Sequence, residues 1–188
     1  MKKLSKWIQN KSKGWVALAS LIIFVLFTAL VLPKQANQAK LSTGNEQSPD
    51  MSFYYTGDEL YQLAEAYGEA GRASYVKARF TFDLVWPFVY MLFLSTVLSW
   101  INQKAFKAGS FLQLTNVVPL FGMIFDYLEN ISTSVVMIRY PEPTRVIDSF
   151  ATIFTLLKWI FIGGGFALLF LGLIIWIGQL LGRKRVVK

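Results

Sequence analysis

Long apolar blocks constrain this chain more than any other feature of its sequence. The clearest block, residues 15–32, runs for 18 residues without a charge. As a helix rising ~1.5 Å per residue it would cover ~27 Å, close to the thickness of the hydrocarbon core of a bilayer. A backbone inside lipid must satisfy its own hydrogen bonds, so such blocks fold as helices. The sequence therefore predicts an all-α, polytopic membrane protein.

Four such blocks predict a four-helix transmembrane bundle that forms a single integral membrane domain over residues 1–188. Charged residues make up 16% of the chain, whereas soluble domains average about 25%. A cleaved signal peptide is the alternative for the first block, but the block is longer than a typical h-region and no A-x-A site follows directly. For the last block, one long tilted helix and a helix kinked at Gly163–Gly165 both remain open. The predicted spans are about 15–32, 80–101, 111–137 and 150–181.

Residues 33–79, between the first two predicted spans, form a polar segment. Residues 33–53 are rich in Gln, Asn and Ser and are read as a loop. Acidic residues at Asp58 and Glu59 then indicate the first turn of a helix. Apolar residues follow at the i, i+3, i+4, i+7 spacing of an amphipathic helix. We expect Gly68 and Gly71 to bend the chain before the second span.

Basic residues predict the orientation of the chain. With four spans both termini share a side, and the flanks and loop on that side hold eleven of the nineteen Lys and Arg residues and none of the eleven acids. This bias predicts a multi-pass protein of the plasma (inner) membrane with both termini cytoplasmic. The segment 33–79, with its amphipathic helix, would then be extracytoplasmic.

Ionisable residues inside the predicted spans mark the candidate site, because charge in hydrocarbon is costly and is usually functional. Asp126, Glu129 and Asn130 lie at i, i+3 and i+4, on one helix face. Counting ~1.5 Å per residue from the cytoplasmic ends places Asp83, Asp126 and Glu129 about 22–27 Å in, in the outer third of the core. The helix predicted from Arg72 into the second span carries five residues on one stripe: Arg72, Tyr75, Arg79, Asp83 and Tyr90.

These residues predict a polar pocket of carboxylates and arginines near the outer boundary. Asp83, Asp126 and Glu129 are the candidate catalytic groups, for acid–base chemistry. The candidate ligand-binding residues, for a lipid-like or small anionic ligand that is bound or processed, are Arg72, Tyr75, Arg79, Tyr90, Asn130 and Lys158. Whether the protein is an enzyme remains open. The alternatives are a noncatalytic accessory or assembly protein with a membrane protein partner, a small transporter, and a cluster that only fixes helix register.

The absence of Cys and His removes several kinds of chemistry. Metal sites built from thiolate or imidazole, disulfide bonds, and thiol or imidazole nucleophiles are excluded. The sequence also carries no haem, zinc–thiolate or nucleotide motif. A hard divalent metal such as Mg²⁺, bound by carboxylates, stays open. The net charge of +8 is explained by membrane orientation, so we expect membrane lipid and no nucleic acid as a partner.

The polar residues also form a linear pattern. It reads Gly71-Arg72-x-x-Tyr75, then Asp83, Pro87 and Tyr90, then Asp126-x-x-Glu129-Asn130, then Tyr140-Pro141. In this pattern, over roughly residues 68–145, the chain resembles a group of small bacterial four-span membrane proteins. The resemblance carries no activity with it. It implies that these polar groups belong together.

Overall fold

A computed structural model of the chain describes residues 1–44 and 48–186, with side chains as far as Gly182. Residues 45–47, part of the predicted extracytoplasmic segment, and residues 187–188 lie outside this description. The fold is 88% helical, with no strand in the described ranges. The α-helices are α1 (Lys2–Lys11), α2 (Gly14–Leu26), α3 (Leu32–Thr43), α4 (Gly57–Arg79), α5 (Phe82–Ala105), α6 (Val118–Arg139) and α7 (Arg145–Val186).

Within the described residues, four helical stretches are long and apolar enough to cross a membrane, which confirms the prediction of an all-helical, multi-pass chain. Three of them include more than one helix, and one of these, Gly57–Ala105, comprises α4 and α5. α2 continues through a π-helical turn, Phe27–Val31, into α3, and a 3-10 helix, Phe111–Val117, precedes α6. The four stretches are Gly14–Thr43, Gly57–Ala105, Phe111–Arg139 and Arg145–Gly182.

The first stretch is longer than its apolar block. Residues 33–43, expected to be loop, are helical and belong to α3. Their Ala, Lys, Gln and Leu residues are good helix formers, and Pro33 is tolerated because it lies in the first turn. The helix ends at Gly44, whose φ of 66° makes a left-handed C-cap. The loop prediction for residues 33–43 was therefore wrong, because it rested on their polarity and not on their helix propensity.

α4 starts where its sequence indicates, but it bends at Gly68 alone, and Gly71 remains helical. Thr56 and Glu59 form a reciprocal capping box at the start. Gly68 interrupts the helix with φ 62° and ψ 179°, a conformation that side-chain-bearing residues avoid. α7, by contrast, runs from Arg145 to Val186, so the structure has one long helix where the sequence left a kink open.

The chain divides into two compact units. Unit 1 comprises Met1–Val25, Val89–Phe121 and Phe161–Lys188. Its apolar core is built around Phe93, Leu94, Leu98, Ile101 and Leu169. A buried polar network joins α1 to the rest of this unit: Ser5 Oγ donates to Asn116 Oδ1 at 2.7 Å, and Asn116 Nδ2 donates to Ser99 Oγ at 2.7 Å.

Unit 2 comprises Leu26–Phe88 and Gly122–Ile160. Its apolar core includes the face predicted for the amphipathic helix, since Leu60, Ala64 and Tyr67 of α4 are buried. These side chains pack with Tyr55, Tyr75, Val136, Met137 and Ala151. Unit 2 also holds the candidate site.

Candidate functional site

Arg79, near the end of α4, is the centre of the first half of the site. Its side chain is 9% exposed, and its Nη1 lies 2.5 Å from Asp50 Oδ2 and 3.0 Å from Asp83 Oδ2. The guanidinium lies over the Tyr75 ring, 4.4 Å from the centroid, and Nη1 is 3.5 Å from Asn130 Oδ1. One buried cation thus holds two carboxylates, an aromatic face and an amide oxygen.

Glu129 of α6 is the centre of the second half. Its side chain is 0% exposed, with Lys158 Nζ 2.5 Å from Oε2. Thr155 Oγ lies 2.6 Å from Glu129 Oε1 and 3.0 Å from the Tyr55 hydroxyl. Thr155 carries a single hydroxyl hydrogen, which goes to the charged acceptor, so Tyr55 donates to Thr155. Both carboxylate oxygens are therefore held by α7.

Asn130 links Asp126 to the Arg79 half. Its Nδ2 donates to Asp126 Oδ1 at 3.2 Å, while its Oδ1 faces Arg79. Asp126 and Asn130 are both buried, one helical turn apart on α6. The i, i+4 spacing seen in the sequence thus produces a direct side-chain contact.

The cluster holds more negative than positive groups. Four carboxylates, those of Asp50, Asp83, Asp126 and Glu129, accompany the two cations Arg79 and Lys158. When all six groups are ionised, negative charges exceed positive charges by two. A buried excess of this kind opposes the addition of another anion and favours the binding of positive charge. Among the described residues, no three carboxylates are arranged to hold a metal ion together.

Asp50 and Tyr55 come from the segment between α3 and α4, outside the four apolar stretches. Burial raises the pKa of Asp50, but the charges of Arg79 and Lys158 and a hydrogen bond from Ser48 outweigh it, and the pKa falls below its usual 3.8. Burial and the neighbouring Glu129 charge raise the pKa of Tyr55. At neutral pH, Asp50 is therefore an anion and Tyr55 a neutral hydrogen-bond donor.

Most of the residues predicted for the site come together in unit 2, while Arg72 makes other contacts in the same unit and Tyr90 falls in unit 1. Arg72 donates from Nη1 to the Ala64 carbonyl at 2.9 Å and lies over the Tyr140 ring, 4.6 Å from the centroid. Tyr90 is buried in unit 1. The residues brought together are Tyr75, Arg79, Asp83, Asp126, Glu129, Asn130 and Lys158.

Sequence reasoning missed three members of the site. Asp50 and Tyr55 lie in a polar segment without periodicity, where nothing separates a buried acid from a solvated one. Thr155 is one of several hydroxyl residues in its span, so its residue type alone did not mark it. Its position three residues before Lys158 could have indicated its role, because that spacing places both side chains on one face of α7.

Comparisons of this chain with protein-family models, with curated proteins and with solved structures gave no match.

Proposed function

We propose that this chain is a ligand-binding protein of the plasma membrane whose buried cluster binds, or processes, the anionic group of a lipid-like or small ligand. In this proposal both termini are cytoplasmic. The first part of α4, with its buried Leu60 and Ala64, is then the extracytoplasmic amphipathic helix, and the cluster lies near the outer boundary. Arg79 and Lys158 hold the anion, and Asp83, Asp126 and Glu129 supply acid–base groups.

The buried Arg79 guanidinium carries this proposal, because it already holds two carboxylates, which are anions of the kind that a ligand would present. A cluster that only braced helices would need one carboxylate for each cation, since every further buried charge costs free energy. Here four carboxylates accompany two cations, and Asp83 shares Arg79 with Asp50. Buried carboxylates in excess of the cations destabilise a membrane protein, and their presence is best explained if they bind a ligand or transfer a proton.

The same surplus favours a second candidate, a small proton-coupled transporter. Carboxylates that exceed the available cations are the groups that bind and release protons in such proteins. Uptake driven by a pH gradient in proteoliposomes, lost in Asp126→Asn, would support this candidate over simple ligand binding. A noncatalytic accessory role is the remaining alternative, and it would show as a protein partner that co-purifies with wild type and with Asp126→Asn alike.

Gentle native mass spectrometry of the purified protein tests the proposal. Wild type is compared with Arg79→Gln and with Arg72→Gln, which removes the same charge outside the cluster. We expect a defined anionic or lipid adduct on wild type and on Arg72→Gln, and its loss from Arg79→Gln. Asp126→Asn, a nearly isosteric change that removes one negative charge from the cluster, guards against a folding artefact and should retain the adduct.

Defined ligands complete the test. Dioctanoyl phosphatidylglycerol and inorganic phosphate are each titrated into wild type and into both arginine variants. If wild type carries no adduct and binds neither compound, or if Arg79→Gln binds as well as wild type while folded, the proposed function is wrong.

A further inference from the structure

We propose that the Asp50 carboxylate is an intramolecular ligand of Arg79, and that an incoming oxyanion binds by displacing it. The inference rests on the proposed function, since it states how the same site is kept closed. The ligand chemistry is an oxyanion, such as the phosphate of a lipid headgroup or a free phosphate. Asp50 would thus set the affinity of the site without taking part in any reaction.

Asp50 is the carboxylate of the described cluster that can leave most easily. It lies in a short 3-10 turn, Pro49–Met51, outside the four apolar stretches, whereas Asp83, Asp126 and Glu129 lie within them. Its side chain is 21% exposed, compared with 9% for the Asp83 side chain and 0% for Glu129. Its departure requires no movement of a spanning helix.

The groups that hold Asp50 are those that would hold a phosphate. Its Oδ2 is 2.5 Å from Arg79 Nη1 and accepts a hydrogen bond from Ser48 Oγ at 2.8 Å. Its Oδ1 faces the Tyr75 hydroxyl at 3.4 Å. A guanidinium and two hydroxyls are common donors to an oxyanion. The site is therefore already shaped around an anion, which in the closed form is part of the chain.

Charge decides between displacement and simple addition. With all six groups ionised, the cluster has two more negative than positive charges, and a monoanion added beside Asp50 would raise that excess to three. Exchange of Asp50 for a monoanion leaves the excess at two, because the departing carboxylate becomes solvated. The exchange is the less costly route in a buried site.

The exchange needs no large backbone movement. Pro49 is fully buried on one side of Asp50. On the other side the Ser52 carbonyl accepts a hydrogen bond from Trp159 Nε1 at 2.8 Å, and the Phe53 and Trp159 rings lie 4.9 Å apart. The chain around Asp50 is thus anchored, and rotation of the Asp50 side chain toward solvent opens Arg79.

Equilibrium binding to three proteins tests the inference: wild type, Asp50→Asn and the control Asp58→Asn, which removes an exposed acid at the start of α4. Each is titrated with dioctanoyl phosphatidylglycerol and, separately, with inorganic phosphate. Removal of a competing internal anion raises the binding-competent fraction, so we expect about tenfold tighter binding to Asp50→Asn. Asp58→Asn should bind as wild type does.

A second variant separates loss of competition from loss of charge. Asp126→Asn removes one negative charge from the cluster at a side chain to which the Asn130 amide donates, so binding should tighten by a smaller factor than in Asp50→Asn. If wild type binds and Asp50→Asn binds no more tightly than Asp126→Asn, the inference is wrong and the proposed function survives. If none of the proteins binds either compound, the proposed function fails first. Tightening for the lipid alone assigns the site to a headgroup, and tightening for both assigns it to oxyanions in general.

Discussion

Lys158 and Glu129 form a buried ion pair between α7 and α6, with Nζ 2.5 Å from Oε2 and side-chain exposures of 5% and 0%. Because both groups are removed from solvent, each is stable in its charged form through the other. This pair is therefore the contact at which loss of one partner should cost most.

Lys158→Met should destabilise the protein by about 3–5 kcal/mol, since it leaves Glu129 buried without its cation. The double variant Lys158→Met/Glu129→Leu removes both charges and should regain most of that loss. Unfolding in a mild detergent, followed by circular dichroism, measures both. A double variant less stable than the single one would contradict the prediction.

Thr155→Val keeps the shape of the side chain and removes the hydroxyl between Glu129 and Tyr55. It should cost about 1–3 kcal/mol, because a buried carboxylate oxygen and a buried phenol each lose a partner. Thr152→Val is the matched control, one turn earlier on α7, where the hydroxyl donates only to the Asp148 carbonyl at 3.2 Å. Equal losses from the two variants in the same unfolding assay would refute the network role of Thr155.

Gly172→Ala should destabilise unit 1 by about 1–3 kcal/mol through overpacking. A Cβ there would meet Ile101 Cγ2 at 3.0 Å and Asn102 Oδ1 at 3.1 Å. Asn102 cannot yield freely, because its Nδ2 donates to Leu112 O at 3.1 Å and to Thr115 Oγ at 2.9 Å.

Gly164→Ala is the control for this change, since a Cβ at Gly164 meets nothing within 4 Å. That variant should be neutral or up to about 1 kcal/mol more stable, because alanine favours helix. Melting temperatures of the two variants give the comparison, and a stabilised Gly172→Ala would contradict it.

The parts of the site that the sequence predicts are those with helical spacing. Asp126 and Asn130 touch because they are one turn apart, and Arg79 pairs with Asp83 at the same i, i+4 interval. Lys158 stands out because it is the one charge in a 32-residue apolar block. In each case the local geometry of a helix carries the inference without knowledge of the fold.

Asp50 and Tyr55 show where that reasoning stops. Both reach the site through tertiary packing of the segment between α3 and α4, and their spacing in the sequence encodes none of it. The loop assigned to residues 33–53 failed for a different reason, since polar residues 33–43 have good helix propensity and continue the first stretch. Arg72 was predicted on the same helix face as Arg79. The helix is broken at Gly68, however, and the Arg72 side chain donates a hydrogen bond to the carbonyl of Ala64, eight residues earlier.

Orientation can be tested because the natural chain contains no cysteine. Asp58→Cys should react with a membrane-impermeant maleimide in intact cells, since it lies in the segment assigned to the outside. Lys107→Cys should react only after the membrane is opened, because it lies in the loop assigned to the cytoplasm. The reverse pattern would invert the proposed topology.

The lowered pKa of Asp50 predicts how the contribution of this residue to the free energy of unfolding changes with pH. Burial raises the pKa of the Asp50 carboxyl in the folded state, but Arg79, Lys158 and Ser48 lower it by more. The folded-state pKa of Asp50 therefore lies below 3.8. A group with a depressed pKa contributes stability above its unfolded pKa, and that contribution is lost as pH falls through the folded pKa.

Wild type should therefore exceed Asp50→Asn in stability by about 2 kcal/mol at pH 5–7, the usual scale for a hydrogen bond to a charged group. The difference should shrink toward zero below about pH 4, where the carboxyl takes up its proton. Unfolding of both proteins across this range in one detergent gives the curve. A difference that stays constant down to pH 3, or that grows with acidity, would show that the Asp50 carboxylate does not stabilise the fold through Arg79.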